Sequence, residues 1–453
     1  MMGPRARVAS LLLTFLPLLP LAAAVAAGDG GPRSLTKDER WMNQRLDHFS
    51  PTDHRQFRLR YFEFLDYHRR PGGPVFLRIC GEYSCDGIPN DYLAVLAKKF
   101  GAAVVAPEHR YYGKSSPFER LTTENLRFLS SKQALFDLAV FRQYYQESLN
   151  ARYNRSGADN PWFVFGVSYP GALSAWFRLK FPHLTCGSLA SSGVVLAVYN
   201  YTDFDKQVGE SAGPECKAAL QETTKLVEER LLSDSSSVKA LFGARTLNND
   251  DFLYFLADAA AEAFQYGHPD AVCSPLINAK KNDGNLVKTF AKFVKDFYIE
   301  EMETTVSSYD QEYLKKTTPD DSSSRLWWFQ VCSEVAYFQV APKTDSVRSA
   351  RINTRYHLDL CRNVFGEGVY PDVFMTNLYY GGTRIAASKI VFTNGSQDPW
   401  RHASKQKSSK DKIVVMALIC EVVLKVLSGL KGLFKLLIPR SCEYSEKADR
   451  QAH

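Results

Sequence analysis

The sequence lacks the features that mark several classes of protein. Its 453 residues contain no internal repeat and no low-complexity tract, and 45% of them are hydrophobic while 23% are charged. This composition is that of a globular protein and excludes a disordered or fibrous one. The chain is long enough for one large domain with insertions, or for two or three ordinary domains.

The chain also carries little net charge outside one segment. Its formal charge is +7, and residues 401–440 alone hold nine Lys and Arg against Asp411 and Glu421, which is also +7. The remainder is therefore close to neutral and lacks the basic surface that a nucleic-acid binder needs. We expect no nucleic-acid partner.

A long apolar run is missing as well. The stretch from Val8 to Leu21 is short for a membrane span, follows Arg5 and Arg7, and leads into small residues that end near Ala27. This order is typical of a secretory signal peptide over residues 1–27, and a membrane anchor is the alternative. We therefore expect the protein in the secretory pathway, and finally outside the cell or in a vacuole or lysosome.

Entry into that pathway changes how the cysteines are interpreted, because thiols pair in an oxidising compartment. Cys80 and Cys85 lie close together in a glycine-containing loop and are predicted to form a disulfide. The other seven cannot be paired from the sequence, and the odd total of nine leaves at least one without a cysteine partner. Asn-x-Ser/Thr motifs at Asn154, Asn200 and Asn394 are candidate glycosylation sites.

Apolar strand patterns alternate with helical periods in the first part of the chain, which predicts an α/β fold with a mostly parallel sheet. The predicted strands are Arg58–Phe64, Pro74–Ile79, Ala102–Ala106, Trp162–Phe165, Ser188–Ser191 and, much later, Ile390–Thr393. Between the last two, residues 203–360 show only helical patterns. We predict a sheet domain in two parts, 45–202 and 361–410, with a large helical cap over residues 203–360 that roofs a site at the strand ends.

The sequence F-V-F-G-V-S-Y-P-G at 163–171 is a candidate nucleophile site. A buried strand meets a helix there at a sharp turn, and Gly166 and Gly171 leave room for Ser168 to stand clear of the backbone, as in a nucleophile elbow. The spacing Gly-x-Ser-x-x-Gly differs from the usual Gly-x-Ser-x-Gly. An ordinary junction between strand and helix is the alternative.

A reactive serine also needs a base, an acid that orients the base, and donors for the oxyanion. Asp398 follows the Ile390–Thr393 strand and is the candidate acid, with a solvated loop aspartate as the alternative. The backbone N–H of Tyr169 and that of the loop at Gly81 are the candidate oxyanion donors. A serine followed later by its acid is the chain order of the α/β-hydrolases.

Three motifs make a family resemblance specific: P-E-H-R-Y-Y-G-K-S at 107–115, G-V-S-Y-P-G at 166–171 and N-G-S-Q-D-P-W at 394–400. Together with N-Q-R-L-D-H-F at 43–49, they resemble the serine peptidase family of lysosomal Pro-Xaa carboxypeptidase, dipeptidyl peptidase II and thymus-specific serine protease, over about residues 41–410. The resemblance implies an α/β-hydrolase sheet with a helical insertion, no metal and no organic cofactor. It also implies peptide substrates that are cleaved after proline or a small residue near a terminus.

Carried onto this chain, the family pattern makes Ser168 the nucleophile and Asp398 the acid. It also places a signature loop near the functional edge of the sheet, and for its histidine a structural role is favoured because that residue precedes the nucleophile. The loop consists of Glu108, His109, Arg110 and Tyr111.

The resemblance stops near Lys410. In the family the catalytic histidine follows the acid in a Gly-His-containing loop, and here only His402 and His453 follow Asp398. The tail at 411–453 begins instead with a segment, 411–440, whose polar residues are three or four apart, which predicts a basic amphipathic helix. That helix would lie on a membrane or dock on a partner, or the tail is the end of a misassembled product without a role of its own.

Three functions are compatible with these residues. The leading hypothesis is a serine exopeptidase whose active form has a histidine that this chain lacks, and a serine without its base loses most of its activity. The second is an inactive relative that binds peptides or a partner, and the third is an esterase or lipase on the same elbow. The sequence does not decide between the amino and the carboxyl end of a peptide, because the charges of the cap cannot be placed from it.

Overall fold

The computed structural model describes residues 34–318 and 322–407, together with the backbone of a strand at 418–420. The predicted signal peptide at 1–27 and the rest of the tail at 411–453 lie outside the described residues. The strands are β1 (Ser34–Thr36), β2 (Arg40–Arg45), β3 (Gln56–Phe64), β4 (Val75–Arg78), β5 (Ile88–Pro89), β6 (Ala103–Pro107), β7 (Trp162–Val167), β8 (Gly187–Ser191), β9 (Ile390–Gly395) and β10 (Leu418–Cys420).

Eight of these strands form one sheet in the order β10-β9-β8-β7-β4-β6-β3-β2, and β1 pairs separately with β5. From β10 to β6 the pairs are parallel, whereas β3 and β2 complete the sheet as antiparallel strands. Successive residues of the central strands are buried on opposite faces. Leu77 and Val105 belong to one hydrophobic cluster, and Phe76 and Val104 to another. The predicted parallel α/β sheet is confirmed, because strands buried on both faces are continuous apolar runs in the sequence.

The sheet begins at Arg40, ahead of the predicted domain start at residue 45. Strand β2 was not predicted, because its sequence R-W-M-N-Q-R is mostly polar. Its inward positions are Met42 and Gln44, both buried, and the Gln44 side-chain amide donates a hydrogen bond to the Asp137 carbonyl oxygen at 3.2 Å. A polar side chain whose amide is hydrogen-bonded thus takes an inward position that an apolar pattern search passes over.

The helices are α1 (Tyr92–Phe100), α2 (Thr123–Leu126), α3 (Ser131–Arg152), α4 (Tyr169–Lys180), α5 (Thr202–Leu241), α6 (Asn249–Gln265), α7 (Pro269–Lys281), α8 (Leu286–Phe293), α9 (Gln311–Leu314), α10 (Ser323–Gln330), α11 (Thr354–Phe365) and α12 (Val373–Tyr380). None of the helices in the described ranges combines the length and the apolar character that a membrane crossing requires.

The helices α5 to α12 lie in the chain between β8 and β9, and we refer to this helical segment, residues 202–380, as the cap. Helix α5 bends at Gly213, whose φ is 70°, just before Pro214. Disulfides from Cys216 to Cys273 and from Cys332 to Cys361 join segments within the cap. The predicted boundary at residue 360 falls inside α11, and helices continue to Tyr380, so the helical stretch is longer than the predicted cap.

Strand β10 corrects the prediction of an amphipathic helix over 411–440. Leu418 pairs with Thr393 of β9 in parallel register, and Cys420 pairs with Gly395. The sequence I-V-V-M-A-L-I-C at 413–420 is a continuous apolar run, which suits a strand of a parallel sheet as well as it suits one face of a helix. The other residues of the predicted helix lie outside the described ones.

Candidate active site

Ser168 lies at the sharp turn between β7 and α4. Its φ is 62° and its ψ is −126°, a backbone conformation that residues other than glycine rarely adopt. The Ser168 N–H donates to the Ser191 carbonyl oxygen at 2.9 Å, and the Ser168 carbonyl oxygen accepts from the Ala172 N–H at 3.0 Å. These two bonds tie the turn to β8 on one side and to α4 on the other, and Ser168 is one of the residues that line a cavity.

The two flanking glycines are required by this turn. A Cβ on Gly166 would lie 1.9 Å from the Pro170 carbonyl oxygen, and a Cβ on Gly171 would lie 2.8 Å from the Ser191 carbonyl oxygen. Both obstacles are backbone atoms, which cannot swing aside. The spacing Gly-x-Ser-x-x-Gly therefore performs the steric task of the usual elbow motif, with one glycine under the turn and one against β8.

The loop at Gly81 is packed against the same turn. A Cβ on Gly81 would lie 2.5 Å from Cγ of Pro170. A disulfide between Cys80 and Cys85, with the Cα atoms 5.9 Å apart, closes this loop. Tyr169 is the first residue of α4, so its N–H has no acceptor within the helix. The two predicted oxyanion donors thus come from segments that touch at the nucleophile turn.

Asp398 follows β9 and is 3% exposed, so it is not a solvated loop residue. Its Oδ1 accepts a hydrogen bond from the Trp400 N–H at 2.9 Å and caps the 3₁₀ turn Pro399–Ala403. Burial raises the pKa of the Asp398 carboxyl, and the Ser192 side chain, the Trp400 N–H and the nearby Arg401 oppose that rise.

The nucleophile turn and the candidate acid lie at the same edge of the sheet. Strand β8 separates them, so the axes of β7 and β9 are two ladder spacings, roughly 10 Å, apart. At the end of β8, Ser192 has a φ of 43° and donates its N–H to the Thr393 carbonyl oxygen at 2.6 Å. A base that joined Ser168 to Asp398 would have to reach across this strand end.

The contacts of His402 and His109 do not join Ser168 to Asp398. His402 Nε2 lies 2.9 Å from Oε1 of Gln207 in α5, and burial lowers the pKa of the His402 imidazole. His109 Nε2 lies 3.2 Å from the Tyr169 hydroxyl, and burial lowers the pKa of the His109 imidazole to about 4. His109 is therefore a neutral ring that supports Tyr169, and His453 lies outside the described residues.

Glu108 and Arg110 of the signature loop make buried hydrogen bonds within the sheet domain. Glu108 accepts from the Ser115 hydroxyl at 2.7 Å and also from the Arg60 guanidinium, and all three side chains are buried. Arg110 donates from Nε to the Asp137 carboxylate at 2.6 Å. Tyr111 has a φ of 72°. The described residues that line the cavity at Ser168 do not include Glu108, Arg110 or Tyr111.

The three predicted glycosylation sites differ in their exposure to solvent. Asn154 and Asn200 are exposed, so a glycan on either would extend into solvent. Asn394 is only 3% exposed, and its side-chain amide donates to the Lys405 carbonyl oxygen at 3.2 Å. Burial of this amide nitrogen disfavours a glycan at Asn394 in the folded chain, and all three sites stay predictions.

The cavity at Ser168 has a volume of about 300 Å³ and lies between the sheet and the cap. The sheet side contributes Ser168, Glu82 and Trp400, and the cap contributes most of the remainder. The aromatic residues that line the cavity were not predicted from the sequence, because a helical pattern does not reveal which face of a helix meets the sheet. They are Phe204, Tyr254, Tyr266, Tyr298, Tyr309, Trp327, Trp328, Tyr337, Phe338 and Trp400.

Two acidic residues of α6 were missed as well. Asp258 and Glu262 are four residues apart and therefore lie on one helix face, which lines the cavity. Burial raises the pKa of the Asp258 carboxyl to about 6 and that of Glu262 to about 8. The sequence did carry an indication, because these are the only charged residues between Phe252 and Phe264.

A mostly parallel sheet with a helical cap over the ends of its strands and a serine at the turn after the central strand is the α/β-hydrolase fold. The family profile of serine carboxypeptidase S28 matches residues 44–422, and the chain belongs to this family of serine peptidases. The match extends to β10, beyond the end near residue 410 that the motifs predicted.

Relatives support the assignment over most of the chain. The probable serine protease EDA2 of Arabidopsis thaliana is 63% identical over 381 residues, which cover 83% of this chain and 78% of that protein. The thymus-specific serine protease of Homo sapiens is 32% identical over 394 residues, or 80% and 76% of the two chains. The lysosomal Pro-X carboxypeptidase of Pongo abelii is 26% identical over 423 residues, or 83% and 80%. The protein is thus an enzyme of the serine peptidase class, with peptides as substrates.

Proposed function

We propose that the chain is a serine exopeptidase that hydrolyses peptides near one terminus through an acyl-enzyme on Ser168. The observation that carries the proposal is the turn at Ser168, which is held at positive φ at the end of β7 and opens into the cavity. Such a conformation costs of order 1–3 kcal/mol and persists only where the surroundings impose it, typically at functional sites.

In this mechanism Ser168 Oγ forms a bond to the carbonyl carbon of the scissile peptide. Its proton passes through a base to the leaving amine as the C–N bond breaks. Water then attacks the ester, which releases the acid product and restores the hydroxyl. The N–H groups of Tyr169 and Gly81 would hold the oxyanion, and Asp398 would orient the base and balance its charge.

The size and lining of the cavity support an exopeptidase. A volume of about 300 Å³ is at the lower end of the range for small-ligand sites, so it suits the end of a peptide better than a continuous chain. The rings of Tyr337 and Trp400, with centroids 5.7 Å apart, offer apolar surface for a proline ring. The name of the Pro-X carboxypeptidase relative agrees with a preference for proline-containing peptides.

The disulfides support the proposed compartment. The bridges of Cys216 with Cys273 and of Cys332 with Cys361 are typical of proteins that mature in an oxidising environment. We propose that the protein passes through the secretory pathway to the extracellular space, a vacuole or a lysosome.

A second candidate function is peptide binding without turnover. Two observations favour it: the sequence after Asp398 lacks the Gly-His-containing loop of the family, and His402 Nε2 is engaged with Gln207. For His402 to act as the base, its ring would have to leave Gln207 and turn toward the strand ends. In this second function Ser168 would contact the peptide without forming an ester.

One experiment separates the candidates. The purified chain is given an aminoacyl-prolyl-coumarin amide at pH 5 and pH 7, beside Ser168→Ala and His402→Gln variants. Fluorophore release that is lost in Ser168→Ala supports the exopeptidase, and loss in His402→Gln as well would assign the base. Rates equal to those of Ser168→Ala, in folded protein that still binds the peptide, would refute the exopeptidase and leave the binding function. Hydrolysis of simple esters alone would indicate an esterase.

A further inference from the structure

The cavity at Ser168 carries ionisable groups of one sign. Glu82, Asp258 and Glu262 line it, and no lysine or arginine occurs among the described residues of its wall. His357, the one histidine there, is buried, and burial lowers the pKa of its imidazole to about 3, so it is neutral. A ligand group that enters this part of the cavity therefore meets three carboxyl groups and no cation.

Three residues that line the cavity carry acceptor atoms without hydrogen-bond partners. His357 is 1% exposed and Gln339 is 8% exposed, and both line the cavity. His357 Nε2 lies 3.2 Å from the Gln339 backbone carbonyl oxygen and so carries the proton, which leaves Nδ1 as an acceptor. His357 Nδ1, Gln339 Oε1 and Glu82 Oε2 make no hydrogen bond. Buried polar atoms are normally satisfied, so these three await a donor.

Three side chains lower the pKa of the Asp258 carboxyl. The Tyr309 hydroxyl donates to Asp258 Oδ2 at 2.9 Å, Tyr254 contacts the same carboxyl, and Arg348 acts on it from a distance while paired with Asp205. These groups lower the pKa of Asp258 but do not overcome its burial. The carboxyl is therefore short of positive charge until a cation binds beside it.

The carboxyl groups of Glu262 and Glu82 also have pKa values that are raised by burial. Burial and the neighbouring Asp258 raise the pKa of Glu262, with only the Tyr298 hydroxyl opposing the rise, and burial raises the pKa of Glu82 to about 7. Burial raises the pKa of Tyr266, which also lines the cavity, and the charges of Glu262 and Glu82 add to that rise. Among the described residues, no three His, Cys, Asp or Glu side chains are grouped to hold a metal ion.

We propose that this acidic part of the cavity binds the protonated α-amino group of the peptide substrate, so that the enzyme cleaves from the amino terminus. An ammonium group supplies three N–H donors and one positive charge, which is what the unpartnered acceptors and the carboxyl groups lack. In serine peptidases the amino-terminal part of the substrate stays on the serine, so the amine is held within the acyl half. A carboxyl-terminal exopeptidase would have to hold the free carboxylate with neutral N–H or O–H donors alone, because the described wall offers no cation for it. This inference rests on the proposed function at Ser168.

Binding to the full chain with Ser168→Ala tests the inference without any need for turnover. Calorimetry compares alanyl-prolyl amide, its N-acetylated form, and N-acetyl-prolyl-phenylalanine, which has a free carboxylate and no amine. We expect the free amine to bind at least about tenfold more tightly than the acetylated form, because a hydrogen bond to a charged group is involved. Adding Glu262→Gln should reduce that preference about tenfold and leave the affinity for the acetylated peptide unchanged.

Two further variants complete the design. Glu82→Gln tests the sheet side of the cavity and replaces Glu262→Gln if that variant does not fold. Asp270→Asn removes an exposed carboxylate of the cap outside the cavity and should change none of the affinities. Equal affinities for the free and the acetylated amine, or tighter binding of the free carboxylate, would overturn the inference and leave the exopeptidase standing. An N-acetylated lysyl-prolyl amide that binds as tightly as the free amine would overturn the assignment to the main chain. If none of the peptides binds, both proposals fail.

Discussion

Replacing Gly166 by alanine is the sharpest test of the turn that presents Ser168. The new Cβ would lie 1.9 Å from the Pro170 carbonyl oxygen, whereas ordinary contact begins at 3.4 Å, so about 1.5 Å must be recovered by moving backbone. Overpacking that forces backbone shifts costs about 1–3 kcal/mol of the free energy of unfolding. A displacement of about 1 Å at a reacting group reduces the rate about 100-fold.

The assay is urea denaturation, with coumarin-amide turnover measured in parallel wherever the parent chain is active. Gly72→Ala is the matched control, because a Cβ there meets nothing within 4 Å, and we expect its free energy of unfolding to change by less than about 0.5 kcal/mol. The two glycines undergo the same chemical change, so the difference between them isolates the clash with Pro170. If Gly166→Ala unfolds at the same urea concentration as Gly72→Ala, the described turn is refuted.

Three other outcomes are expected. Cys216→Ser opens a loop of 57 residues and should lower the free energy of unfolding by about 4 kcal/mol, measured by urea denaturation in oxidising buffer against the parent chain; no change would contradict a structural bridge. Arg110→Ala leaves a buried carboxylate of α3 without its guanidinium and should cost about 3–5 kcal/mol in the same assay; a loss under 1 kcal/mol would contradict the described pair. The affinity of the Ser168→Ala variant for alanyl-prolyl amide should rise from pH 5 to pH 7. Burial holds the pKa of Asp258 at about 6 and that of Glu82 at about 7, so acid keeps these carboxyl groups neutral; a flat profile, or an equal rise for the acetylated peptide, would contradict this.

The strands that could be predicted from the sequence are those with both faces buried. Ala103–Pro107 and Gly187–Ser191 contain only small or apolar residues and buried hydroxyls, and each differs from its predicted bounds by a residue at one or both ends. Strand β7 continues to Val167, past the predicted end at Phe165, because Gly166 brings no side chain against Pro170. Strand β2 was missed because its inward Gln44 is polar, and its side-chain amide is satisfied by donating to a carbonyl oxygen of α3, which lies far away in sequence.

At the candidate site, the residues next to the strands could be predicted from the sequence, whereas those on the cap could not. Ser168 and Asp398 stand next to strands in short motifs, so local sequence identifies them as candidates. Asp258 and Glu262 can be recognised as site residues only when the position of α6 in the fold is known. Which face of α6 lines the cavity depends on contacts with segments such as Val306–Tyr309. A sequence pattern shows that two acids share a helix face but does not show what that face meets.

The insertion of the cap between β8 and β9 has a consequence for synthesis in the cell. Strand β9 follows β8 by about 200 residues, so a ribosome that adds 5–20 residues per second leaves the free edge of β8 unpaired for roughly 10–40 s. During that time the cap can fold and close its own disulfides, while the half-finished sheet exposes a row of unpaired N–H and C=O groups. A mutation that delays the cap would therefore cause aggregation of nascent chains through the edge of β8, even if the finished protein were as stable as before.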